Sequence, residues 1–133
     1  MVVDFRNLNT SQVTDIGSTF YECGNLQTLY LSNFDTSTVK NMGWIFSNCK
    51  SLQTLELSSF NTSNVTGMMF MFWRCESLKT LDISSFDMSN FKNTYNMLSG
   101  CNSLRTVKIP KDKKSMQKII DQLDEDEIQC NII

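Results

Sequence analysis

Apolar positions recur along this chain every 26 residues, and inside each period they change spacing. The segment Leu52-Gln-Thr-Leu-Glu-Leu57 reads L-x-x-L-x-L, and its last four residues alternate as a short strand does. The same pattern stands at Leu26 to Leu31, Leu78 to Ile83 and Leu104 to Ile109, with Val107 in place of Leu; Val2 to Phe5 is a truncated first copy. Each strand is followed by a polar turn, such as Phe34-Asp-Thr-Ser37 or Phe60-Asn-Thr-Ser63, whose short polar side chains can bond their own backbone. The spacing then becomes helical. Val65, Met68, Phe72 and Cys75 lie three, four and three apart, on one face of a helix, as do Val39, Met42, Phe46, Cys49 and Val13, Ile16, Phe20, Cys23. Four gapless copies begin at Phe5, Leu31, Leu57 and Ile83, and the last, with Phe91, Thr94 and Leu98 before Cys101, predicts a less regular helix.

A fixed period of this length predicts units that bury their apolar faces only against their neighbours. Strand, short helix and parallel strand wind right-handed. Strands repeat at about 4.8 Å and packed helices at about 8–10 Å, so such a stack bends, with strands on the inner wall. The fold predicted is therefore α/β: a right-handed solenoid over residues 1–109, with parallel strands on the concave face and short helices on the convex face. Residues 110–133 read as a C-terminal cap. Pro110 stops the fifth strand, Asp112 or Ser115 can cap a helix, and Met116, Ile119, Ile120 and Leu123 form one apolar stripe. Lysines precede acids along that helix, against its dipole, so packing must hold it. Ile128 to Ile133 alternate like a sixth strand. The N-terminal end has no such lid.

At 133 residues and net charge −2, with scattered Lys and Arg, the chain shows no basic footprint for nucleic acid. It has no His, which removes the commonest general base and a common zinc ligand. Nucleophile, metal and phosphate signatures are missing too, so neither catalysis nor a cofactor is expected. Four of the five Cys recur once per period without a C-x-x-C pair, which suits small buried hydrophobes better than disulfides. No apolar run is long enough to cross a bilayer, and Met1 to Arg6 is not a secretory signal. The expected compartment is the cytosol, unless the chain is a segment of a longer exported protein.

Two surfaces could carry recognition. On the strand wall an unvarying Thr column (Thr28, Thr54, Thr80, Thr106) lies beside a variable one, in which Tyr30 is the large anchor and Glu56 and Asp82 an acidic stripe. On the outer wall Trp44 and Phe70 project opposite the buried face, flanked by Trp73, Met69, Tyr95 and Arg74, where other copies carry Ser or Asn. Clustered aromatics with an Arg suit an interface.

The run S-x-F-D-T-S-x-V-x-x-M-x-x-M-F-x-x-C after L-x-x-L-x-L resembles the BspA-like leucine-rich repeat of bacterial and protist surface proteins, over Val2 to about Ile109. That resemblance implies a horseshoe-shaped, non-catalytic protein-binding scaffold used for adhesion or host-protein recognition. The alternative reading is an intracellular inhibitor or adaptor that blocks a specific protein. Self-association through the uncapped N-terminal end is a further expectation.

Overall fold

Segments of period two become strands, and the 26-residue offset becomes their register. The structure, a computed structural model, describes residues 1–133. Strands β1 (Val2–Asp4), β2 (Thr28–Tyr30) and β3 (Thr54–Leu55) form one parallel sheet; β4 (Thr80–Asp82), β5 (Thr106–Lys108) and β6 (Asn131–Ile132) form a second. Val2 pairs with Thr28, Thr28 with Thr54, and Thr80 with Thr106. Leu29, Leu81 and Val107 point inward and are buried, while Tyr30, Asp82 and Lys108 point out. β3 and β4 do not pair. Glu56 and Asp82 hold corresponding positions in the coils flanking this break, and like charges opposed across strands disfavour pairing.

The helices expected in every coil are absent, and the convex helical face with them. The only helix, α1, spans Lys113–Glu125 at the C-terminal end. The segments read as helical are runs of consecutive turns. In the second coil Ser47 N donates to Trp44 O and Cys49 N to Phe46 O, three residues back. Alternate amides leave the coil altogether: Met42, Trp44, Phe46 and Asn48 donate to Gly67, Met69, Met71 and Trp73 at 2.6–3.1 Å. An amide spent on the next coil is lost to an i→i−4 bond. Every fourth residue turns left-handed, at Ser18 and Glu22, Trp44 and Asn48, Phe70 and Arg74, then Asn96 and Gly100. A turn repeating every four residues buries positions 42, 45, 46 and 49 together, as a helix would. That coincidence explains the misreading.

The expected curvature falls for the same reason. It required helices spaced wider than strands, but the turn wall is itself a backbone ladder, so both walls repeat at strand spacing. The molecule is a stack of parallel coils with two short, flat sheets on one side, not a curved leucine-rich-repeat solenoid.

Between the walls lies one core. Phe20, Phe46 and Phe72 stack at 5.8 and 5.6 Å, and Phe34 stacks on Phe60 at 6.2 Å. Two polar columns run through it. Cys49, Cys75 and Cys101 are buried and free, each thiol donating to a carbonyl of the preceding coil (Phe20, Phe46 and Phe72) at 3.1 Å. Buried Thr36 and Thr62 bracket the peptide of the next coil. Thr62 Oγ1 donates to Asp87 O at 3.1 Å and accepts from Asp87 N at 2.8 Å, and Thr36 treats Asn61 likewise. Replacing Thr62 with Val, its isostere, strands both backbone groups of Asp87. The expected loss is about 1–3 kcal/mol in urea unfolding, against little change for exposed Thr66→Val.

In the fourth copy Met88 holds the Thr position, and α1 supplies what that coil lacks. Asp112 caps the helix by accepting from Ser115 N, and the buried Ser115 hydroxyl accepts from Met88 N at 2.9 Å. Lys118 Nζ donates to Met88 O and Phe91 O, and Ile119 and Leu123 enter the core.

Candidate functional site

The outer-wall aromatics form one ladder along the stack. Trp44 lies on Phe70 with ring centroids 4.1 Å apart. Trp73 meets both edge-on, Tyr21 meets Trp44 edge-on, and Tyr95 meets Phe70 edge-on. Arg74 sits 5.4 Å from the Trp73 ring. Both Trp44 and Phe70 occupy left-handed positions (φ 62° and 56°), where a bulky side chain is unfavourable. Their mutual stacking offsets that cost. Trp44, Phe70, Trp73 and Met69 are only partly exposed, whereas Tyr95 and Arg74 are exposed. The rings thus lie against one another on the turn wall, with Tyr21 and Tyr95 exposed at its two ends.

Tyr30, Glu56 and Asp82 lie on the opposite, strand wall, so the structure divides the nine candidate residues between two sides. The guanidinium of Arg6 lies 5.2 Å from the Tyr30 ring and pairs with Asp4. Its side-chain hydrogen bond holds Asp4 down to about 2. Glu56 accepts from Ser58, and Asp82 pairs with Lys108 at 3.1 Å. Burial pushes the Asp82 carboxyl up, but bonds from Ser84 and Lys108 outweigh it and hold the group below its ordinary value. Within the acidic stripe Asp82 is therefore paired with a cation of its own wall, whereas Glu56 has only the neutral Ser58 hydroxyl. The expected binding function depended on a curved scaffold with a strand-lined concave face and a helical convex one. That scaffold is not present, and the aromatic rings form no concave patch, so the adhesion and inhibitor readings built on it are withdrawn.

The two ends of the stack differ more than its sides, a feature the sequence only hinted at. Along the run of turns, the alternate amides that leave each coil donate toward the C-terminal end, to carbonyls that face the N-terminal end. Ile16, Ser18, Phe20 and Glu22 donate to Asn41, Gly43, Ile45 and Ser47. The equivalent carbonyls of the first coil, those of Asp15, Gly17, Thr19 and Tyr21, accept no hydrogen bond. Around them Val3, Phe5 and Val13 are half-buried and Leu8 is exposed. At the other end Asp126 accepts from Leu98 N at 2.8 Å and from Gln122. Burial raises the Asp126 carboxyl above its ordinary value, against the pull of those bonds.

Register, turn wall and unlike ends together define a parallel-coil repeat protein, partly covered by α1 at one face and uncovered at the other. Residues 1–110 match the family described as "Mycoplasma protein of unknown function, DUF285", and the chain belongs to that family. This replaces the BspA-like resemblance, whose horseshoe the structure does not have. Comparison with curated proteins and with solved structures finds no match. No helix is long and apolar enough to cross a membrane.

Proposed function

We propose a structural role, in which the chain closes one end of a stack of parallel 26-residue coils. The observation that carries this reading is the polarity of the turn wall. A row of four carbonyls without a protein donor is matched, in a protein partner, by a row of donors, and the amide edge of another coil of the same type is such a row. The apolar rim of Val3, Phe5, Leu8 and Val13 would be covered by the same partner. At the opposite face α1 covers part of the fourth coil and supplies side-chain acceptors to Met88 N and Leu98 N. Two copies do not complement each other through their open ends in this wall, because each offers carbonyls to carbonyls. The partner is therefore a coil with a free amide edge.

Inserting one further copy of residues 31–56 between Asp4 and Phe5 tests the reading. Phe5 and Val13 are already half-buried, so covering the rest is expected to add about 0.5–1 kcal/mol for each side chain to the unfolding free energy. Cys23, half-buried in the first coil, would gain a carbonyl partner as Cys49 has, and its labelling by a thiol reagent would slow. An inserted coil that changes neither stability nor Cys23 labelling would show that this face is not built to receive one.

A further inference from the structure

The 26-residue period that places Phe34, Phe60 and Phe86 in one column next reaches position 112, which is Asp112, the cap of α1. The chain has left the stack by then, and beside the column's end lies an open groove of about 620 Å³. Volumes of about 300–1,000 Å³ are typical of sites that take up a small molecule. Its walls include Ile109 just after β5, Met116 and Ile120 on α1, and Ile132 and Ile133 in and after β6. Ile132 and Ile133 are 43% and 69% exposed, so apolar surface faces the opening.

Polar chemistry in the lining comes mainly from Lys108 and Lys111. Lys108 is already paired with Asp82. Asp112 is occupied in capping, where it accepts from Ser115 N. Lys111 has no carboxylate within ion-pair distance, the α-carboxylate of Ile133 included. A complementary ligand needs a long chain without polar groups and one negative head. We propose that this groove binds a free long-chain fatty acid, its alkyl chain along Ile109, Met116, Ile120 and Ile132 and its carboxylate at Lys111. The proposal is independent of the closing role, which concerns the other end of the stack.

The test is titration of the whole chain with cis-parinaric acid, whose fluorescence rises in an apolar site, followed by displacement with palmitate. Saturable binding of one acid per chain is expected. Lys111→Glu should weaken it roughly tenfold, the scale of one lost charge-assisted contact. Ile132→Glu, at a position already partly exposed, should weaken it at least as much while the circular dichroism spectrum stays unchanged. Absence of saturable binding overturns the proposal, as does an affinity in both variants equal to that of the unaltered chain. Methyl palmitate displacing the probe as well as palmitate would remove the role of Lys111. Sedimentation on anionic vesicles without binding of monomeric acid would assign the groove to a bilayer surface. A dimer that Ile132→Glu dissociates would assign it to a second copy.

Discussion

Replacing Phe46 with Ala should destabilise the protein by about 3–5 kcal/mol, read as a lower urea midpoint at constant slope. Phe46 is fully buried and is the middle ring of three, with Phe20 on one side and Phe72 on the other. Truncation removes the transfer energy of the ring and two ring contacts worth about 0.5–1.5 kcal/mol each. The site also has little means of collapsing. The flanking coils are tied through the turn wall by four amide–carbonyl bonds at each junction, which hold them at fixed spacing around the void. Since a domain of this size is stable by only about 5–15 kcal/mol, the variant would sit near the edge of folding. A loss below about 1 kcal/mol would mean that the aromatic stack is not the centre of this core.

Alkaline pH should act nearly as strongly, through the thiol column. Burial pushes the thiols of Cys49 and Cys101 up to about 12, and that of Cys75 well above its ordinary 9.0. The folded chain therefore keeps protons that the unfolded chain releases. The stabilisation is complete below pH 9 and is lost as the pH rises toward the folded values. Between pH 8 and pH 10 each thiol should cost about 1.4 kcal/mol, or about 4 kcal/mol for the three together. Ionisation also removes the donor that each sulfur gives to a carbonyl of the preceding coil. A variant with Cys49, Cys75 and Cys101 all changed to Ala would be less stable at pH 7 but should lose most of this pH dependence. An unchanged slope in that variant would place the alkaline sensitivity in other groups.

What could be read in the chain beforehand divides along a physical line. The strands were legible because period two has no competitor over L-x-x-L-x-L, and because the 26-residue offset sets parallel register directly. The helix α1 was legible from its apolar stripe and from Asp112 before it. The turn wall was not. Val39, Met42, Phe46 and Cys49 fit a helix and a four-residue turn repeat equally well. What separates the two is where the amides of residues 42–48 go, and that partner lies 25 residues away in sequence. The left-handed Trp44 and Phe70 were illegible too, since bulky aromatics are among the least expected residues there. Among the candidate site residues, the sequence grouped Trp44, Phe70 and Trp73, and the structure brings these together. It could not show that they stack on one another, or that Asp82 is neutralised by Lys108. The buried Thr36 and Thr62 escaped notice because Thr in a polar turn looks like turn chemistry. Their recurrence at exact repeat spacing was the available signal.

The amino-acid pattern alone settled the repeat, its length, the strand register, the free thiols facing inward and the C-terminal helix. Each depends on local periodicity or on side-chain chemistry repeated at one interval. Only the tertiary structure decided what forms the second wall, whether the stack bends and which end is open. Those follow from hydrogen bonds between coils. A backbone amide carries no side-chain signature of the carbonyl it will choose, so these bonds leave no trace in composition or spacing.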